Sequence, residues 1–201
     1  DGYNFSNSHI STASLTEALP VITLNGVSKG FYAAGWRVGY MAFQDTRGRL
    51  SKVRDGAERL LRSRLCASTP AQYGFLAGLT GPRDWMAVYR QKLLEQRDYC
   101  VSRIKGIDGM ECETPEGAFY MFPKLTREKW ANNDKQFVLD LLHEEHVLLV
   151  HGSGFSSEYG SGHVRLVFLP CTEILAAAFA RINRFMNPFT EASRRIALSR
   201  S

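Results

Sequence analysis

The chain has 201 residues, of which 44% are hydrophobic, and its 25 Lys and Arg against 20 Asp and Glu give a formal net charge of +5. A chain this rich in apolar residues collapses to bury them, so wholesale disorder and collagen-like repetition are excluded, and the length fits one large domain or a domain with a partner lobe. The basic residues are scattered, often beside acidic ones as in Arg54-Asp55, which favours a solvated surface over a nucleic-acid interface and leaves an anionic small ligand as an option.

The first half of the chain predicts two strands followed by three helices. Residues 1–14 are polar and rich in turn formers, and short apolar runs over 21–24 and 38–43 then predict buried strands. A glycine-punctuated loop lies between these two runs, a place well suited to carry function. Helical spacing of apolar residues predicts helices over 50–65, from Pro70 to Gly81 and from Trp85 to Gly106.

The second half mixes short strands with two helices. Strands are predicted over residues 110–112, 118–122, 147–150 and 164–169, and helices over 135–145 and 172–186. A glycine- and serine-rich loop over 151–162 precedes the last strand. The alternation of strands and helices indicates two α/β lobes joined by the long helix that ends at Gly106.

The cysteines and the apolar runs indicate where the protein works. The four cysteines are far apart and form no CxxC pair, and no secretory leader opens the chain, so we expect reduced thiols, no zinc site and a cytoplasmic protein. The longest apolar runs are a few residues, against the roughly 20 needed to span a bilayer. No membrane partner is therefore expected.

The densest group of chemically useful residues lies in the loop between the first two strands. Ser28 and Lys29 follow Gly26 at the end of the first strand, and Arg37 stands between two glycines eight residues after Lys29. A lysine in such a turn is partly desolvated, which frees its amine for Schiff-base chemistry, and an arginine on a tight turn presents its guanidinium to a phosphate. The alternative is a surface lysine and an arginine paired with a carboxylate.

The whole string NGVSKGFYAAGWRVGY, residues 25–40, resembles the lysine-attachment segment of the class I and II aminotransferases, which depend on pyridoxal phosphate (PLP). Tyr32 departs from the pattern, since a small residue is commoner there. The resemblance extends to RLCASTPAQ (64–72), PEGAFYMFP (115–123), HGSGF (151–155) and HVRL (163–166). It is closest to the alanine (glutamate-pyruvate) aminotransferases of this class and covers the C-terminal part of the family's length.

The resemblance implies an α/β fold, the fold-type I of PLP-dependent transferases. Residues 1–83 would be the C-terminal part of the large PLP-binding domain, with a mixed sheet and helices, and 84–106 the linking helix. Residues 107–188 would form the small α/β domain and 189–201 a frayed tail. Family members carry a long stretch ahead of this region that holds the cofactor ring, and the roles of its Asp and Tyr are not assigned to Asp1 and Tyr3.

By the same resemblance, three residues of the loop bind the cofactor. Lys29 would be the catalytic Schiff-base lysine, which moves a proton between the substrate Cα and the cofactor C4′. Ser28 and Arg37 would hold the cofactor phosphate. Gly26 stands where the family often has a further phosphate-binding serine, so the resemblance does not carry that contact over to this chain.

Two arginines are candidates for substrate binding. Arg165 lies in an otherwise apolar strand, where an unpaired charge costs several kcal/mol, so it needs either an internal ion pair or an anionic ligand. The resemblance favours a clamp on the substrate α-carboxylate. Arg64 resembles an arginine that reads a distal carboxylate across a dimer interface in some relatives, and the alternative is an exposed helix end.

Two aromatic residues and three histidines are weaker candidates. Phe119 and Tyr120 either line the site or pack a strand, and His143, His146 and His163 show no metal-ligand spacing, so no metal site is expected.

The resemblance implies an aminotransferase that uses PLP to move an amino group between alanine or glutamate and pyruvate or 2-oxoglutarate. A homodimer with amino-acid and 2-oxo-acid substrates and without nucleic acid is expected. The alternatives are a non-catalytic ligand-binding fragment or regulatory module of the same fold, and an aspartate or aromatic aminotransferase.

Overall fold

The computed structural model describes Phe5 and residues 9–187, in which helices and short strands alternate. The strands are β1 Val21–Gly26, β2 Gly39–Gln44, β3 Met110–Glu111, β4 Tyr120–Met121, β5 Lys124–Leu125, β6 Val150–His151 and β7 Val164–Val167. The helices are α1 Val27–Gly30, α2 Ser51–Ser63, α3 Thr69–Thr80, α4 Asp84–Lys105, α5 Asp134–Glu145 and α6 Thr172–Met186. The tail over 189–201 and most of the turn-rich start, including Asp1 and Tyr3, lie outside the described residues.

The chain divides into two compact units, a first unit of Asp1–Val88 and a second unit of Tyr89–Ser201. In the first unit β1 and β2 pair antiparallel from Val21 opposite Gln44 to Gly26 opposite Gly39. In the second unit β3 pairs with β5, and β7 lies between β4 and β6, again with antiparallel neighbours. Arg165 therefore lies on a strand that is paired on both edges.

The first unit has a small core beneath the base of the hairpin. Val27 and Val38 pack with Ala71 and Phe75 of α3, and the more exposed Phe31 packs against this cluster. The prediction that β1 and β2 are buried strands is right about the strands and wrong about their burial. Leu24, for example, is 69% exposed, because the described residues place no further strand beside this pair and α3 covers only its base.

Helix α2 confirms the predicted helix but not an inward apolar face. None of its side chains is buried, and Leu60 is 73% exposed. The pattern of apolar residues thus describes the helix correctly while the part of the chain that the structure describes offers it no covering surface.

The second unit contains most of the buried apolar side chains of the described residues. Its largest fully buried ones lie on or beside α4, α5, α6 and the strands between them, among them Ile104, Met121, Leu125, Phe137, Leu141, Phe168 and Met186. Helix α6 has the predicted bounds of 172–186, and α4 confirms the predicted long helix. The predicted strand over 147–150 is shorter, since only Val150 and His151 pair with β7. No helix among the described residues is long and apolar enough to cross a membrane.

Candidate functional site

The loop that carries Lys29 closes on the base of the β1–β2 hairpin. The register runs to Gly26 opposite Gly39, and the Val27 backbone N–H donates to the Val38 carbonyl at 3.2 Å. A Cβ at Gly39 would lie 2.6 Å from the Asn25 carbonyl oxygen, so the close approach of the two strands requires glycine there. The loop that contains Lys29 and Arg37 therefore begins and ends at the same end of the hairpin.

Two aromatic side chains of this loop pack against glycines of helix α3. A Cβ at Gly74 would overlap the Trp36 ring, and one at Gly78 would lie 2.7 Å from the Phe31 ring. The Phe31 ring also meets Phe75 edge to face, with centroids 5.8 Å apart. Because residues four apart share a helix face, the two glycines form a smooth strip against which the loop packs. No signal in the sequence indicated this role of the glycine pair.

The loop backbone is strained at two positions. Tyr32 and Arg37 have φ angles of 52° and 53°, the left-handed region that costs a non-glycine residue about 1–2 kcal/mol. The Arg37 guanidinium donates to the Ala34 carbonyl at 2.8 Å, which stabilises the turn that contains the strain. Strain of this kind is found where a loop must present particular groups, here on both sides of the loop tip.

Three functional groups of different chemistry lie in this one short segment. The Lys29 and Arg37 side chains are exposed and Ser28 is partly buried. An amine can condense with an aldehyde, while a hydroxyl and a guanidinium suit a phosphate, so the set matches a ligand that carries both groups. The register of the hairpin places the backbones of these residues at one end of the β1–β2 pair. Arg64 follows α2, is exposed, and lies next to Leu65, whose φ is 68°.

In the second unit the Arg165 guanidinium contacts two aromatic rings. Its guanidinium carbon lies 4.8 Å from the Tyr120 ring centroid and 4.7 Å from that of Phe155. Such cation–π contacts contribute about 1 kcal/mol each but satisfy no N–H group. Within the described residues the buried Nε of Arg165 has no hydrogen-bond partner. No ion pair between Arg165 and another described residue accompanies these contacts, so the internal pair considered as an alternative is not seen in this part of the chain.

Asp134, which sequence analysis missed, is buried beside the loop that precedes β7. This carboxylate is 2% exposed, and it accepts hydrogen bonds from the backbone N–H of Ser153 at 2.8 Å and of Gly162 at 3.2 Å. Burial alone would raise the pKa of Asp134, but the hydrogen bonds from Ser153 and Gly162 outweigh it and hold that pKa below its ordinary value. In the sequence Asp134 is only a polar residue at the start of a predicted helix, and this position does not predict its contact with the loop.

The remaining candidate residues either pack against other side chains or lie exposed. Phe119 is buried with its ring 4.6 Å from that of Tyr120, and His163 stacks on Phe122 at 5.2 Å. His143 and His146 are exposed. Among the described residues no three His, Cys, Asp or Glu side chains cluster as metal ligands would.

The chain is similar to known aminotransferases. The model of the family described as aminotransferase class I and II matches residues 3–180. The chain is 37% identical over 181 residues to an alanine aminotransferase of Mycobacterium tuberculosis, covering 89% of this chain and 42% of that protein. It is 36% identical over 186 residues to the glutamate-pyruvate aminotransferase AlaA of Haemophilus influenzae, covering 91% and 46%.

A solved structure shows the same likeness in three dimensions. The alanine aminotransferase from Pyrococcus furiosus superposes with a TM-score of 0.88 at 52% identity, over 92% of this chain and 47% of that one. The chain thus spans somewhat less than half the length of each of these relatives.

Proposed function

Because the chain belongs to the class I and II aminotransferase family, we propose that the protein carrying it transfers an amino group between L-alanine or L-glutamate and pyruvate or 2-oxoglutarate. Its α/β fold is that of the PLP-dependent transferases of fold type I. The names of the relatives in Mycobacterium tuberculosis and Haemophilus influenzae support the choice of alanine and glutamate.

The observation that carries the proposal is the Nε of Arg165, which has no hydrogen-bond partner among the described residues. This Nε is buried, and the guanidinium carbon lies within cation–π distance of the Tyr120 and Phe155 rings. A carboxylate accepts two parallel N–H bonds from a guanidinium edge, and each such charged bond contributes about 1.5–3 kcal/mol. All four proposed substrates carry an α-carboxylate, so one arginine serves amino acids and 2-oxo acids alike.

The residues of the Lys29 loop fit PLP by the chemistry of their donors. The amine of Lys29 would hold the cofactor aldehyde carbon, and the Ser28 hydroxyl and Arg37 guanidinium would hold its phosphate. When bound, PLP supplies an electron sink for the negative charge that develops at the substrate Cα.

With the cofactor bound, Lys29 would have a second role. Its amine would move a proton between the substrate Cα and the cofactor C4′, in either direction of the amino-group transfer. Packing of Phe31 and Trp36 on the Gly74–Gly78 strip would limit the movement of the loop that carries Lys29 during this transfer.

An aspartate aminotransferase is the second candidate activity. An aspartate aminotransferase of Bacillus subtilis is 33% identical over 183 residues, covering 89% of this chain and 44% of that protein. Arg64, which is exposed at the end of α2, suits the distal carboxylate of a dicarboxylic substrate. The two candidates differ in whether aspartate or alanine is consumed, with glutamate common to both.

The proposal is tested by turnover of L-alanine with 2-oxoglutarate by the native protein that carries this sequence, in the presence of PLP. We expect Lys29→Ala to lower kcat about 100-fold or more, since a positioned general base contributes that much. Arg165→Gln should raise KM for both substrates about tenfold or more, and the exposed Lys52→Ala is the control. Preferential consumption of aspartate would favour the second candidate, and ligand binding without turnover would favour a regulatory module.

We also propose a cytoplasmic homodimer. The four cysteines, all of which the structure describes, are free thiols, as is usual in a reducing compartment. The exposed apolar face of α2 at Leu60 and Leu61 supports burial of this helix on assembly. Sedimentation equilibrium measures the mass, and a monomer at micromolar concentration would contradict the homodimer.

A further inference from the structure

The loop over residues 151–163, called here the 151–163 loop, is tied at both ends to one buried carboxylate. Asp134 Oδ2 accepts the Ser153 backbone N–H at 2.8 Å, and Oδ1 accepts that of Gly162 at 3.2 Å. Ser153 lies two residues after β6 ends, and Gly162 lies two residues before β7 begins. A single side chain thus fixes the points at which the chain leaves and re-enters the sheet.

The 151–163 loop also closes tightly on its own backbone. The Gly152 N–H donates to the His163 carbonyl at 2.8 Å, and a Cβ at Gly152 would overlap the Gly160 carbonyl oxygen. Gly162 has a φ of 70°, and a Cβ there would overlap the Ala131 carbonyl. Because the loop has little free space, a change in its two anchoring amides is transmitted along it.

A side chain of the 151–163 loop, Phe155, connects the two anchored amides to Arg165. Phe155, near the middle of the loop, has its ring centroid 4.7 Å from the Arg165 guanidinium carbon, and Arg165 itself lies three residues after Gly162. The Phe155 ring further contacts Phe122 at 6.0 Å, edge to face. The wall against which Arg165 lies is therefore set by the loop that Asp134 anchors.

We propose that Asp134 is a positioning residue that places Phe155 and Arg165 for binding of the substrate carboxylate. The inference rests on the proposed function for the role of Arg165, but Asp134 itself touches no substrate. Its carboxylate acts through the amides of Ser153 and Gly162. Asp134 is the first residue of α5 and follows the N-cap Asn133, so its carboxylate reaches the loop from the start of that helix.

The test uses ¹⁵N-arginine-labelled protein, in which the Nε–H of Arg165 gives its own resonance, assigned by its loss in Arg165→Lys. The variant Asp134→Asn keeps one acceptor oxygen but turns an NH₂ toward the second amide. The matched control is Asp140→Asn on the same helix, whose carboxylate accepts a bond from Gln136 on the surface. Pyruvate is the titrant, and PLP attachment at Lys29 is followed in parallel.

We expect Asp134→Asn to shift the Arg165 Nε–H resonance in the unliganded protein and to raise the Kd for pyruvate about tenfold. PLP attachment and the Asp140→Asn control should be unchanged. An unshifted Arg165 resonance in Asp134→Asn, with Ser153 and Gly162 amides that exchange faster, would overturn the proposal.

A second variant, Asp134→Ser, keeps a small polar acceptor in case Asp134→Asn does not fold. Loss of the folded state in both variants would also overturn the proposal, because the carboxylate would then serve stability alone. Failure of pyruvate to bind the unaltered protein would contradict the proposed function, whereas the unliganded Arg165 resonance still decides the role of Asp134.

Discussion

The two units of the chain differ in how many buried apolar side chains support their candidate functional residues. Of the buried apolar side chains among the described residues, 22 belong to the second unit and four to the first. Arg165 therefore lies on a strand within a large core, whereas the Lys29 loop rests on Val27, Val38, Ala71 and Phe75. The difference indicates that Arg165 lies in a well-packed unit, whereas the Lys29 loop depends on a few close contacts.

The largest expected difference between the units concerns core truncation. Phe137 is fully buried, with ring contacts to Trp130 and Phe185, so Phe137→Ala should lower the free energy of unfolding of the second unit by about 3–5 kcal/mol. Leu60→Ala on the exposed face of α2 should change it by less than about 0.5 kcal/mol. Urea unfolding followed by tryptophan fluorescence measures both, and equal losses would contradict the comparison.

A glycine pair in the first unit gives the next effect. Gly74→Ala forces its methyl group against the Trp36 ring, so we expect a loss of about 1–3 kcal/mol and weaker PLP binding. Gly56→Ala in α2 meets nothing within 4 Å and should stabilise the helix by about 0.5–1 kcal/mol. Thermal unfolding and a PLP titration distinguish the two. A neutral Gly74→Ala would mean that the strip on α3 does not support the loop.

The buried carboxylate of the second unit predicts a pH dependence. The pKa of Asp134 in the folded protein lies below its ordinary value, so the unfolded state binds the proton more tightly. The stability that Asp134 contributes is complete above its unfolded pKa and is lost as pH falls through the folded pKa. Asp134→Asn should flatten this acid-side loss, as measured by urea unfolding at several pH values. An unchanged profile would contradict the assigned ionic role.

Thiol labelling gives the mildest test, because it leaves the fold intact. Cys66 of the first unit is exposed, whereas burial leaves Cys100 of the second unit with no exposed surface and raises the pKa of its thiol to about 12. Iodoacetamide at pH 8 should modify Cys66 within minutes and spare Cys100 until the protein unfolds. Peptide mass spectrometry reports each site, and early labelling of Cys100 would show that the second unit opens readily.

Much of the element order could be predicted from the sequence. Periodicity alone places α6 at Thr172–Met186 and predicts α4, because apolar residues at helical spacing carry a strong signal over four or more turns. The apolar run Val147–Val150 gave a strand that is too long, since Val147 and Leu149 are buried before any pairing with β7 begins. Short runs of this kind do not specify where hydrogen bonding starts.

The limits of prediction at the site have a physical cause. Lys29 and Arg37 stand close in sequence, so a local motif indicated their group, and the apolar neighbours of Arg165 indicated that it needs an anion. Asp134 lies 28 residues from Gly162, which it anchors, and only the fold brings them together. The prediction that β1 and β2 are buried was wrong, because alternation and β-branching indicate a strand but do not show what covers it.

The most direct measurement is covalent capture of PLP on the protein. After incubation with PLP and reduction with borohydride, digestion and mass spectrometry locate the modified lysine. We expect a single modification at Lys29, a visible absorbance band before reduction, and loss of both in Lys29→Ala but not in Lys52→Ala. A modification spread evenly over exposed lysines such as Lys52 and Lys135, or one that persists in Lys29→Ala, would contradict an aminotransferase site in this chain.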